Sequence, residues 1–451
     1  MNDRRSLPSF RLVSLFAAAA LSAAALARGQ TAPGEMAPLT LRRAAELSLA
    51  HAPQLAAQRA AREEGSASAR VAADALHPSV WLSTTPGYSS GLPVAVAGSV
   101  PAYGALTVRQ TIYDPTRKYD VLQAEAHTAD LEAGVESGCA DSVRATVRAY
   151  ARSWTDERQA DAARRRLAAA EAALQRTQDL FEAGRVTEMD VERAKLATAR
   201  AKQKLLNAES DRELDGLELK RLIGWPASAP LRLSSETESA LRDEAEMDNL
   251  TVAKKADPQL KSLGRQIELL GQSARLASKR WPTVEASVQY QRLPSYYSKY
   301  YNSFNENNFS VGVSLAIPLW AGGRLDDTEA KAHASLLRAE AERDARESDL
   351  EISVRRAEAS MARAEAEHSL ARRSQGIAEQ DLSAAEALAR EGRGEAGTVD
   401  DRRLQLADAD EESAKTALSA LEERTNLLFL RGDLARAVLG EEPPCAATPA
   451  R

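Results

Sequence analysis

Aromatic residues, histidine and cysteine are scarce in this chain. Phe, Trp and Tyr make up 5% of its 451 residues, and it holds five His and two Cys. The histidines (His51, His77, His127, His333 and His368) are scattered, and no Cys/His zinc spacing, nucleophile elbow or P-loop occurs. Glu365-x-x-His368 has the spacing of a di-iron helix ligand pair, but a second such pair is missing, so His368 reads as a packed structural histidine. Gly322-Gly323-Arg324 lacks the Lys-Ser/Thr of a phosphate loop and reads as a turn. No catalytic site, cofactor or metal is therefore expected. Cys139, inside a helical stretch, and Cys445, in the C-terminal tail, can form a disulfide in an oxidising compartment, but two free thiols are the favoured reading. The net charge of −6 gives no support for a nucleic-acid partner. Past residue 27 no run approaches the ~20 apolar residues of a membrane-spanning helix.

What is present is a strand that feeds a very long helix. Phe309, Val311, Val313, Leu315, Ile317 and Leu319 alternate with mostly small residues, the period-two pattern of a strand with one greasy face. Pro318 ends the ladder, Gly322-Gly323 turns the chain, and no proline follows Arg324 until Pro443. The same plan occurs earlier. Leu106, Val108 and Ile112 alternate with Thr107, Arg109, Thr111 and Tyr113, Asp114-Pro115 turns, and a long Ala/Arg/Glu-rich stretch follows. Further landmarks repeat about 205 to 210 residues apart. Ala52-Pro53 returns as Asp257-Pro258, His77-Pro78 as Trp281-Pro282, and Gly184 with Asp190 as Gly394 with Asp400. The chain reads as a tandem duplication of a helix–hairpin–helix unit.

In order, Arg4, Arg5 and Arg11, the apolar run Leu12–Ala27 and the small-residue site Ala25-Leu26-Ala27 make residues 1–27 a secretory signal peptide. Residues 28–78 hold the helices of the first repeat, with a break near Ala52 ahead of Pro53. Residues 79–113 form the first hairpin. Residues 114–224 carry long helices that turn at 181–190, where Thr187 or Asp190 caps the return. Residues 225–257 are a connector and 258–281 the second-repeat helix. Residues 282–319 form the second hairpin, whose loop gathers Tyr296, Tyr297, Tyr300, Tyr301 and Phe304 like an interfacial girdle. Residues 320–432 hold the second pair of long helices, turning at 391–400 through Gly392, Gly394 and Gly397, and 433–451 a disordered tail. Within the long helix Leu350, Val354, Ala357, Met361, Ala364, His368, Ala371, Gln375, Ala378, Leu382 and Ala385 recur at fours and threes, an alanine-rich heptad seam.

An exported chain without an apolar helix is soluble or a β-barrel, and the lipid-compatible face of Phe309, Val311, Val313, Leu315 and Ile317 favours the barrel. Four strands cannot close in lipid, so copies must join; three would give twelve strands. The fold class expected is a mixed α/β membrane protein, a trimeric 12-stranded transmembrane β-barrel continued by a long helical barrel. A periplasmic or surface coiled-coil scaffold without a pore is the alternative.

The Pro-opened hairpins, the junction Ile317-Pro-Leu-Trp-Ala-Gly-Gly-Arg324 and two tip motifs resemble the TolC-type outer-membrane efflux protein family from about Leu39 to Gly432. The tip motifs are Phe181-x-x-Gly184-x-x-Thr187-x-x-Asp190-Val191 and Gly394-x-x-Gly397-x-Val399-Asp400. That resemblance implies a homotrimer in outer-membrane lipid and a periplasmic helical barrel. It also implies docking to a periplasmic adaptor protein and an inner-membrane pump or ABC exporter. It places adaptor docking at Gly184, Thr187, Gly394 and Gly397. It places the entrance constriction at Asp190 and Asp400, with Arg403 standing where the family can carry a second acidic residue. Asp400 and Arg403 then pair, hold the gate between protomers, or lie on a solvated face. The cargo is not encoded in these features.

Overall fold

The structure, a computed structural model, describes residues 38–85, 102–234, 248–278, 282–293, 305–318, 323–393 and 396–440. The leader 1–27, the tyrosine-rich loop, the junction residues 319–322, Gly394, Cys445 and the Pro443-Pro444 stretch lie outside the described residues.

Proline and its caps set where helices begin. Thr40 caps α1 (Leu41–His51) through a hydrogen bond from the Arg43 amide, and Pro53 opens α2 (Pro53–Asp74) at the expected break. Two strands follow, β1 (Ser79–Thr85) and β2 (Ala102–Tyr113). Asp114 accepts from the Thr116 and Arg117 amides and, with Pro115, launches α3 (Pro115–Glu182). Its 68 residues span about 100 Å at 1.5 Å per residue. The return helix α4 (Glu188–Ile223) ends on Gly224 at φ 72°. A short α5 (Asn249–Ala256) precedes α6 (Pro258–Ala277), where Asp257 caps the helix and pairs with Arg346 at 2.6 Å. Strands β3 (Thr283–Arg292) and β4 (Asn307–Ala316) lead to α7 (Arg324–Arg390) and α8 (Ala396–Leu430). Gly432, at φ 73°, lies 208 residues after Gly224 and ends its helix in the same left-handed way.

Two expectations are corrected here. The segment after Gly432 is not all loose, because Leu434–Leu439 forms α9 and buries Leu434, Val438 and Leu439. Cys139 is disulfide-bonded rather than free, and it is buried among Val135, Val143 and Leu55.

The long helices form a palisade. Below the middle of the molecule the side-by-side order is α4-α3-α8-α7; above it, α2-α3-α6-α7. Thus α3 and α7 run through both halves, and each half is four helices wide. The seam expected on α7 packs inward: Leu350, Val354, Ala357, Ala364, Ala371 and Ala385 are buried at heptad spacing. Between the halves sits the main apolar cluster, where α1 and α9 pack on α3 around a fully buried Tyr150. Tyr150 donates to the Leu39 carbonyl at 2.7 Å and accepts from the Ser234 amide at 3.1 Å, tying the start of the chain to the connector.

Beyond the upper end of the palisade the four strands make one antiparallel sheet in the order β1-β2-β3-β4. The register lines up Leu82, Leu106, Tyr290 and Phe309 across the sheet, then Val80, Val108, Val288 and Val311. Ala286 with Val313 and Val284 with Leu315 extend the same face. The other face carries Thr107, Gln289 and Ser310, then Arg109, Ser287 and Gly312, with Trp81 as its large apolar member. A bulge between Thr111 and Tyr113 shifts the foot of β2, so Tyr113 rather than Ile112 stands opposite Val284.

Candidate functional site

Two regions hold the candidate residues, the sheet face and the tip where the helices turn. On the sheet, Phe309, Val311, Val313, Leu315 and Ile317 are all exposed, Val313 by 68%. Among the described residues no atom covers this row. At ~3.4 Å per residue a ten-residue strand reaches about 34 Å, and tilted near 45° it spans the ~25 Å apolar band of an outer-membrane barrel.

At the tip, Gly184 holds φ 65° and its amide bonds the Phe181 carbonyl, while the Arg185 amide reaches Leu180. Gly392 repeats this at φ 70°, with bonds to Ala389 and from Arg393 to Leu388. Both are left-handed helix ends that only glycine enters without strain. The counterpart of Gly184 is therefore Gly392, not Gly394 as the tip motif suggested. Gly397 sits in the first turn of α8 rather than in the connection. With the offset fixed at 208, Val399 matches Val191, both are buried, and Asp400 falls opposite Glu192 rather than Asp190.

The two acidic candidates do different things. Asp190 is at the surface and receives the Thr187 amide at 3.0 Å and the Thr187 hydroxyl at 2.7 Å. Those bonds, with the nearby Arg193 cation, hold its carboxyl below the usual range. Asp190 and Thr187 thus close the start of α4 on each other. Asp400 is only 2% exposed, which removes the solvated-face reading for it. It forms ion pairs with Arg176 of α3 and, at 3.5 Å, with Arg403, which also reaches Glu386 at 3.1 Å.

Arg176 was not legible from local motifs. It is the lowest rung of a ladder between arginines of α3 and carboxylates of α8. Above it stand Arg166 with Asp408, Arg165 with Asp410 at 2.6 Å, and Arg152 with Glu422 at 3.0 Å. Lys204 of α4 adds a bond to Glu411 at 2.9 Å. The signal available in the sequence is a charge asymmetry, Arg164-Arg165-Arg166 on one stretch against Asp408, Asp410, Glu411 and Glu412 on the other. Among the described residues no group of three or more His, Cys, Asp or Glu side chains is placed to hold a metal ion, and no helix is long and apolar enough to cross a membrane.

The family model described as outer membrane efflux protein matches residues 44–225 and 249–433. Solved structures share the fold at low identity. VceC, the outer membrane protein of Vibrio cholerae, is 16% identical at a TM-score of 0.71, covering 87% of this chain and 96% of its own. CusC, described in terms of transmembrane channel formation, is 13% identical at 0.72, covering 90% and 95%. The MtrE outer membrane channel of Neisseria gonorrhoeae, solved in an open state, is 13% identical at 0.63, covering 87% and 89%. No curated protein matches the chain. The fold class is that of these channels: an internally duplicated protomer with a four-stranded share of a trimeric β-barrel, continued by a long α-helical barrel.

Proposed function

The chain belongs to the outer membrane efflux protein family, and on that premise we propose that it is the passive exit duct of a tripartite efflux or type I secretion system. The observation that carries this reading is that each layer of the protomer is an open arc. Among the described residues the sheet ends in unpaired edges at β1 and β4. The lower palisade ends at α4 and α7. Both end helices expose apolar stripes. On α7, Leu337, Ile352, Leu370, Ile377 and Leu388 are exposed and fall within roughly 60° of arc at 100° per residue. On α4, Met189, Leu196, Leu206, Leu214 and Leu217 fall within roughly 100°. A sheet edge in lipid needs a partner, and an apolar helix stripe in water needs cover. One rotation satisfies both: β4 of one copy pairs with β1 of the next, and α7 packs on α4. Three copies give twelve strands and a twelve-helix tube about 100 Å long.

The duct performs no chemistry. It lies in the outer membrane and reaches through the periplasm, and its lower mouth is formed by the turns at Gly184 and Gly392. There Gly184, Thr187, the turn at Gly392 and Gly397 in the first turn of α8 present the docking surface for a periplasmic adaptor. The inner-membrane pump or ABC exporter supplies the energy. Asp400, Arg403 and Arg176 hold α8 against α3, so opening the entrance means breaking these pairs as α7 and α8 swing away. The native mass of the mature protein, extracted from outer membranes in mild detergent and corrected for bound detergent, tests the assembly. A trimer that needs detergent is expected; a soluble monomer or dimer would overturn the duct.

A further inference from the structure

Among the described residues α3 buries a single charged side chain. Asp156 is 7% exposed and stands where the second repeat, 208 residues on, has the buried Ala364. Its Oδ2 is buried without a hydrogen-bond donor among the described residues. The group it faces across the α3–α4 contact is another carboxyl, Asp215, with Asp211 one turn earlier on α4. Two ionised carboxylates do not hydrogen-bond; a proton must lie between them. Two of the nearby cations are committed elsewhere, while Arg148, two turns up α3, lines the same cavity as Asp215. Arg152 is held by Glu422 of α8 at 3.0 Å, and Arg221 of α4 by Glu218 at 2.6 Å. Asp215 also lines an open cavity of about 590 Å³ with Arg148, Arg152 and Arg221, which gives the pair access to bulk protons.

We propose that Asp156 and Asp215 form a proton-held clasp that joins α4, the helix at the protomer's open edge, to α3 and releases when the shared proton is lost. Burial first, then the hydrogen bond and charge of Asp215, push the Asp156 carboxyl up to about 7. The folded chain therefore binds a proton that the unfolded chain has already released. Stability from this pair is complete below the unfolded carboxyl range and declines as pH rises toward and through about 7. The α3–α4 joint is tightest in mildly acidic surroundings and loosens in alkaline ones. This does not depend on the duct reading, since the clasp lies within one protomer.

The test compares wild type with Asp156→Asn, both as detergent-extracted assemblies, from pH 5.5 to 8. Asparagine keeps a hydrogen-bonding amide and cannot ionise. The variant should unfold at the higher midpoint, by a gap that widens between pH 5.5 and pH 8 by at least about 2 °C. Amide exchange over residues 208–218 should speed up with pH in wild type beyond the change seen in the variant. Asp215→Asn is the second variant. It leaves Asp156 beside a neutral partner and should move the wild-type pH response to lower pH. A gap between wild type and Asp156→Asn that stays constant with pH, or an unshifted response in Asp215→Asn, would overturn the clasp. The oligomeric state of all three proteins reports separately on the duct.

Discussion

Asp400 shows how one carboxylate can hold a helix in place. It is buried, it meets Arg176 on α3 and Arg403 on its own helix, and its side chain has little water to fall back on. Removing one member of a buried pair leaves the other uncompensated. Asp400→Ala should destabilise the tip by roughly 1–3 kcal/mol. A double-mutant cycle with Arg176→Ala should return a coupling of at least about 0.5 kcal/mol. In planar bilayers the same variant should conduct more than wild type, because α8 is no longer pinned. Additive single changes with unaltered conductance would return Asp400 to a packing role. The two tip glycines make a separate case. A Cβ at Gly184 or Gly392 meets nothing within 4 Å, so the cost of Gly→Ala there is conformational, about 1–2 kcal/mol per site. Bulky replacements at both sites should abolish export while trimers still form; undiminished export would remove the docking role. The sequence showed Gly184 clearly, since the capping residues Thr187 and Asp190 follow it. It did not separate Gly392, Gly394 and Gly397, because three glycines within six residues leave the left-handed position undetermined until backbone bonds are seen.

At the level of elements, legibility followed distance along the chain. Helix starts at Pro53, Pro115 and Pro258, the alternation along β4 and the alanine seam of α7 depend on neighbours a few residues away, and each could be read directly. The α3–α8 ladder joins residues such as Arg165 and Asp410 that are 245 positions apart, and only the antiparallel register of the two helices brings them together. The tail helix α9 was missed because six residues carry too little periodicity to stand out beside Pro443-Pro444; what fixes it is burial against the α1 and α3 cluster. The sheet offers the sharpest test of an element. Val313 and Ser314 are adjacent on β4 but on opposite faces, opposite Ala286 and Glu285. Val313→Arg should cost roughly 2–4 kcal/mol at mid-depth and lower the yield of assembled trimer. Ser314→Arg, on the face shared with Glu285, should cost far less. Equal losses, or none, would mean that the apolar face does not meet lipid.

The whole molecule is defined by what one copy leaves open. Four strands and four helices are each too few to enclose a pore, and the apolar rows lie on α4 and α7, the helices at the two ends of the lower arc. Internal duplication explains why one chain covers so much of the ring: each repeat contributes a hairpin and a helix pair, and the α3–α8 ladder joins the repeats. The join between copies must then be α7 to α4, and it can be tested by chemistry at matching heights. Met189 lies five residues above Gly184 on α4, and Leu388 four residues before Gly392 on α7. The two turns form the same end of the tube, so these side chains lie at nearly the same level, within about 2 Å of rise. Both are exposed in the isolated protomer. Met189→Cys combined with Leu388→Cys should yield covalent dimers and trimers on mild oxidation in the outer membrane, whereas either cysteine alone should give no trimer. Pairing Met189→Cys with a cysteine at Leu337, far up the same α7 stripe, should give no crosslink. Crosslinking in the Leu337 combination, or its absence in the Leu388 one, would mean that the helices meet in another register and that the ring closes through different faces.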